Sequence, residues 1–130
     1  MYNLNNDIYM FNVVIINGEE CPSYEGFKEK CINLLSKKAE QGENIVLYSS
    51  GDSFVDRFAK EFGIVTMTIF CDWKRDGKNA LKYWCENIAK ACDAVVFFDD
   101  GKQRYNYLLK LIREKGGAIR RYLLTDNINP

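Results

Sequence analysis

Five short apolar runs, rich in β-branched residues, alternate along this chain with stretches whose apolar residues fall at helical spacing. The runs are "FNVVIIN" (11–17), "NIVLYSS" (44–50), "IVTMTIF" (64–70), "DAVVFFD" (93–99) and "AIRRYLL" (118–124). Each is too short for a helix and mostly too continuous for a strand with one wet face, so each reads as a strand in a covered sheet. Between them lie the stripes Phe27, Cys31, Leu34, Leu35; Val55, Phe58, Ala59, Phe62; Leu81, Trp84, Cys85, Ile88, Cys92; and Leu108, Leu111, Ile112. Strictly alternating strands and helices leave few topologies, because a parallel pair needs a crossover and the crossover is right-handed. The pattern predicts a three-layer, Rossmann-like α/β domain of about five parallel strands with helices on both faces. No linker, repeat or low-complexity tract interrupts it, so residues 1–130 read as one domain with a core at about 11–124. The first nine residues and "TDNINP" read as loose ends.

Punctuation residues support the boundaries. Pro22 stands near the first turn of the first helix and Gly42 follows its end, while Gly63 closes the second. Asp100 can cap the fourth helix, with Gln103 in the reciprocal position of a capping box, and Gly116-Gly117 ends it. The fifth strand is expected at an edge, since Arg120 and Arg121 cannot both be buried cheaply. The remaining Tyr and Phe residues are assigned to the core.

Charge and residue usage exclude several function classes. Lys plus Arg and Asp plus Glu are equal at 18 each, so no overall field attracts nucleic acid or an anionic membrane. An anion site would have to be built locally. The chain has no histidine, which removes Ser-His-Asp and Cys-His catalysis. Its cysteines (21, 31, 71, 85 and 92) show no CxxC spacing, so neither a zinc site nor a resident cofactor is expected, and the thiols read as reduced core residues. No apolar run is long enough to span a bilayer, and "MYNLNNDIYM" lacks the layout of a signal peptide, so a cytoplasmic location is expected.

Ligands of open α/β sheets bind outside the carboxyl ends of the strands, near helix N-termini. Four segments occupy those ends: "NGEE" (17–20), "SSGDS" (49–53), "CDWKRDGK" (71–78) and "DDGKQR" (99–104). Gly18, Gly51, Gly77 and Gly101 allow tight turns in any strand-to-helix loop, or close approach of backbone to a ligand. Ser49, Ser50 and Ser53 are helix caps by default; alternatively their turn exposes N–H groups to an anion. Lys74, Arg75 and Lys78, with Lys102 and Arg104, can supply countercharge. Asp52 and Asp72 repel phosphate and suit ribose hydroxyls or base amino groups better, and Glu19 and Glu20 are similar, solvated by default and acceptors if they point inward. Trp73 can stack on a base, although packing under its own loop is the commoner fate of such a ring.

The order strand, "SSGDSFVDRFAKEFGI", strand, "DWKRDGKNA", helix, "ACDAVVFFDDGKQR" resembles the SLOG superfamily, which groups Smf/DprA DNA-processing proteins with LOG phosphoribohydrolases. Within it the chain is most similar to the small stand-alone YspA-like branch, over about residues 11–124, and Asp72 to Lys78 is its most specific piece. Departures are visible at each other loop. Asn17-Gly18-Glu19 stands where a basic residue is usual, Asp52-Ser53-Phe54 replaces Ala-Arg-Gly, and Gln103, Tyr105 and Asn106 replace Ser, Gly and Thr. The hydrolase run Pro-Gly-Gly-x-Gly-Thr is absent. The resemblance implies non-catalytic binding or sensing of a nucleotide-derived small molecule at the carboxyl edge, and a homodimer is the oligomer it suggests. Two other classes stay open: an N-glycosidase using Glu19, Asp52 or Asp100, and a scaffold that retained only the fold.

Overall fold

In the computed structural model, which describes residues 10–17, 23–99 and 101–123, the chain forms five strands and four long helices. The strands are β1 (Met10–Asn17), β2 (Asn44–Ser49), β3 (Val65–Thr68), β4 (Ala94–Asp99) and β5 (Ala118–Leu123). The helices are α1 (Tyr24–Glu40), α2 (Ser53–Phe62), α4 (Ala80–Ala91) and α5 (Asn106–Glu114), with a single turn, α3 (Trp73–Asp76), before α4. All strand pairs are parallel and the order is β3-β2-β1-β4-β5. The order reverses between β1 and β4, whose register sets Val13 beside Ala94 and Asn17 beside Phe98.

Strand alternation divides the interior in two. Val13, Ile15, Leu47, Val96 and Phe98 pack under α1 and α2, with Phe27 and Phe58 buried among them. Val14, Ile16, Val95 and Phe97 pack under α4 and α5, against Trp84, Ile88, Leu108 and Ile112. Each of these large side chains contributes roughly 1.5–3 kcal/mol relative to an exposed one. β4, buried at all six positions, is the spine shared by both layers. The three-layer α/β architecture expected from the alternation is thus the one observed.

Local signals placed some boundaries differently. Ser23 caps α1, its Oγ accepting from Gly26 N at 3.1 Å. Asp52, not a serine, caps α2, and Gly63 ends α2 in the left-handed region at φ +64°. The third strand was expected over 64–70 but covers only four residues, Val65–Thr68. α5 begins at Asn106, beyond the expected capping box, with no side-chain cap at Tyr105. Gln103 adopts φ +62°, so the chain is turning there, not entering a helix. Asp100 lies outside the described residues, as do residues 1–9 and 124–130, where loose ends were expected.

The assignment of every aromatic ring to the core needs correction at Phe62, Phe70 and Tyr83, which are 44%, 69% and 40% exposed. Phe62 sits on the last turn of α2, where its ring meets Phe58 on one side and the Lys28 ammonium reaches over it. Tyr83 lies off the buried stripe of α4. Phe70 is released by the early end of β3. β5 does form an edge, where Arg120 is exposed and Arg121 pairs with Asp99.

Candidate functional site

The loop after β2 carries Ser49, Ser50, Gly51 and Asp52 to the start of α2. Ser49 is fully buried and its Oγ accepts from Gly51 N at 3.1 Å. Asp52 Oδ1 accepts from Phe54 N at 2.8 Å and from Val55 N at 3.1 Å. The N–H groups of Gly51, Phe54 and Val55 are therefore met from within the chain, and a carboxylate already occupies the positive end of the helix. Phe54, which stands where the resemblance would place glycine, turns its ring toward Tyr24 and Phe27, with centroids 5.5 and 5.6 Å away.

The charged knot after β3 is largely self-neutralised. Asp72 Oδ1 caps α3 by accepting from Arg75 N at 3.0 Å. The Arg75 guanidinium forks onto Asp76, donating from Nε at 3.0 Å and Nη2 at 2.9 Å, and those bonds hold the Asp76 carboxyl below its ordinary value. Gly77 at φ +56° stops α3, and a 3₁₀ turn over Gly77–Asn79 leads into α4. Lys74 and Lys78 are exposed on this turn.

At the end of β4, Asp99 is only 3% exposed. Its Oδ1 accepts from Gly101 N at 2.8 Å and its Oδ2 accepts from Arg121 Nε at 2.6 Å, with Arg121 Nη2 against the same oxygen. A buried carboxylate paired this way ties the edge strand to the loop. Gly101 at φ +82° and Gln103 at φ +62° then carry the chain past Lys102 and Arg104 to α5. Gly18, Glu19 and Asp100 belong to the expected site but lie outside the described residues. Asn17 Oδ1, at the carboxyl end of β1, is buried without a hydrogen-bond partner among the described residues.

The early end of β3 creates the open space at this edge. Ile69 N still donates to Ser49 O at 2.9 Å, but Ile69 O accepts the indole N–H of Trp84 at 2.5 Å and leaves the ladder. Phe70 then projects over Gly51, where a Cβ would come within 2.6 Å of its ring. Trp73 on α3 is 58% exposed, not tucked under its own loop. The result is an open cleft of about 520 Å³ walled by Phe70, Trp73 and Tyr105, with Ser50 and Arg104 as polar groups and Cys71 and Leu81 completing it.

Of the residues expected from sequence, this cleft brings together Ser50, Trp73 and Arg104. Gly51 stands beside it under Phe70. Asp52, Asp72 and Ser49 serve as caps or turn acceptors, Arg75 is bound by its neighbours, and Lys74, Gly77, Lys78, Gly101 and Lys102 do not line the cleft. Phe70, Cys71, Leu81 and Tyr105 were missed. The one available signal was Trp84, since a buried indole N–H must find an acceptor, here the Ile69 carbonyl at the end of β3.

Chemically, the cleft presents aromatic rings on which a planar group can stack, with the Arg104 guanidinium in its lining. Among the described residues it offers no opposed carboxylates, since Asp52, Asp72, Asp76 and Asp99 are each engaged elsewhere. Burial pushes the Cys85 and Cys92 thiols up to about 12 and raises Cys71, which disfavours thiolate chemistry at neutral pH. Among the described residues no cluster of His, Cys, Asp or Glu could hold a metal ion, and no helix is long and apolar enough to cross a membrane. No protein-family model matches the chain, and no curated protein matches it.

Proposed function

We propose that this protein binds a nucleotide-derived small molecule, without transforming it, in the cleft at the carboxyl edge of its sheet. The observation that carries the reading is the exposure of Phe70 and Trp73 in the lining of an open cleft that also holds Tyr105 and Arg104. Large aromatic rings left in water around a concavity are a recognition surface more than a packing solution. Stacking a base on such a ring contributes about 1–3 kcal/mol, and a guanidinium adds a match for phosphate. The position beside helix starts at the carboxyl ends of parallel strands fits the reading, as does the resemblance to the SLOG superfamily. Binding without hydrolysis is favoured by the engaged state of each described carboxylate at this edge.

A thermal-shift screen against nucleosides, nucleotides, cyclic dinucleotides and ADP-ribose derivatives tests it. The expected result is a saturable rise in Tm with one chemical group of compounds, equivalent to about 2.7 kcal/mol at a hundredfold excess over Kd. That rise should vanish in Trp73→Ala, with no free base released by the wild type. Release of base would replace the reading by N-glycosidic hydrolysis, and silence across the panel would overturn it in favour of a scaffold.

A further inference from the structure

A hollow that shares no lining residue with the cleft lies at the amino ends of β4 and β5, on the α1 side of the sheet. Its origin is in the edge strand. Ala118, Arg120 and Tyr122 alternate onto the α1 side, where Tyr122 joins the layer beneath that helix. In the carboxyl half of β5 this ring fills the space beside α1. Its centroid is 5.3 Å from that of Phe98, and the Lys30 ammonium lies 5.4 Å from it. In the amino half the register sets Ala118 beside Ala94, and two methyl groups leave the corresponding space open. Phe11 of β1, with Leu34 and Leu35 of α1, walls a hollow of about 220 Å³ there.

Its side chains are apolar except for two, Lys38 and Arg120. The Lys38 ammonium is committed to Glu43 at 3.4 Å and to the Phe11 ring, 4.8 Å from the centroid. Arg120 is exposed and, among the described residues, forms no ion pair, whereas Arg121 on the opposite face is bound by Asp99. An apolar depression with one unneutralised guanidinium in its lining fits a molecule that is apolar along its length and carries one negative charge at its end. A carboxylate matches the planar fork of the guanidinium. A phosphate dianion would bring a second charge, and the only other cation in the lining is already paired with Glu43. The volume sets the size, since it exceeds the about 150 Å³ that admits benzene and falls short of the roughly 300 Å³ at which drug-sized pockets begin.

We propose that this hollow binds a small apolar monocarboxylate, of the length of hexanoate to octanoate. Its chain lies over Ala94 and Ala118, between α1 and β5, and its carboxylate sits on Arg120. The site is independent of the cleft, because it lies at the opposite end of the strands, and either can fail without the other.

Titration of the methyl-labelled full chain with octanoate and with octanol, followed by methyl proton–carbon correlation spectra, tests this. Octanoate is expected to shift the signals of Val13, Leu34, Leu35 and Ala118 saturably and to bind at least tenfold more tightly than octanol. Ala118→Leu, a change at an exposed position, should fill the hollow and weaken octanoate at least tenfold while the fold melts as wild type does. Arg120→Ala should bring octanoate to within twofold of octanol, and it keeps the test decisive should a larger side chain at position 118 disturb β5. Absence of saturable shifts at those methyl groups, or wild-type octanoate binding in a folded form of either variant, would overturn the proposal. Octanol bound as tightly as octanoate would overturn it as well, by removing the role of the charge. In sedimentation velocity without ligand, a dimer that Ala118→Leu disperses would overturn it too, by giving the hollow to a second copy of the chain.

Discussion

Replacing Trp84 by Phe probes the contact on which both the fold and the cleft depend. Trp84 is 3% exposed, and its indole N–H donates to Ile69 O at 2.5 Å. Phenylalanine keeps an aromatic ring in the layer but removes that donor and part of the ring volume. Loss of the bond, with a part-buried carbonyl left behind, costs about 1–1.5 kcal/mol. The space vacated beside Tyr105, whose centroid lies 5.9 Å from the indole, costs about 1–1.5 kcal/mol more. The total of about 2–3 kcal/mol is a large share of the roughly 5–15 kcal/mol that stabilises a domain, and at this size corresponds to a fall in Tm of about 10 °C. Urea unfolding followed by circular dichroism measures it, with an unchanged m-value as the check that the same cooperative unit unfolds. Trp73→Phe is the matched control: at 58% exposure it should lose less than about 0.5 kcal/mol of stability. Fluorescence separates the two, since the emission remaining in the Trp84 variant should be that of an exposed indole. A Trp84 variant within about 0.5 kcal/mol of wild type would refute the idea that this bond ends β3.

Three further outcomes follow from the same structure. Asp52→Ala should destabilise by about 1 kcal/mol in denaturant titration, while Asp52→Asn, which can still cap α2, should recover most of the loss; equal losses would dismiss the capping role. Glu61, hydrogen-bonded by Lys28 and then by Tyr24, titrates below its ordinary value. A depressed acid contributes stability above its unfolded pKa that is lost as pH falls through its folded pKa, so Glu61→Gln should flatten the stability profile below about pH 4.5 and leave its slope near neutrality unchanged. Cys85 and Cys92, whose burial pushes their thiols up to about 12, should resist iodoacetamide at pH 8 in the native protein and react on unfolding, as read by peptide mass mapping; native labelling of either would contradict the buried placement.

Much of the fold was legible from residue order because it rests on short-range rules. A run such as "DAVVFFD" can satisfy its backbone and bury its side chains only as a covered strand. Stripes such as Phe27-Cys31-Leu35 bury one helical face whatever their neighbours. Parallel pairing and the edge position of Arg120 and Arg121 followed from those constraints. The carboxyl edge was also foreseeable, since alternation of strands and helices carries every strand-to-helix loop to the same side. Which residues of those loops face one another was not, because that depends on contacts distant in sequence.

Phe70 illustrates the difference. By sequence it finishes an apolar run and belongs in a strand; in the folded chain, Trp84 takes the carbonyl of Ile69, fifteen residues before it, and Phe70 turns out over Gly51. Asp52 and Asp99 show the same logic for charge. The type of Asp52 suggested ligand contact, but it caps its own helix, and Asp99, which sequence did not single out, is bound by Arg121 from the neighbouring strand. Sequence by itself determined the layers and the edge at which a site could form, because apolar periodicity is local and burial is non-directional. Tertiary structure alone decided the shape and polarity of the cleft, because hydrogen bonds are directional and their partners come together only when the sheet has closed.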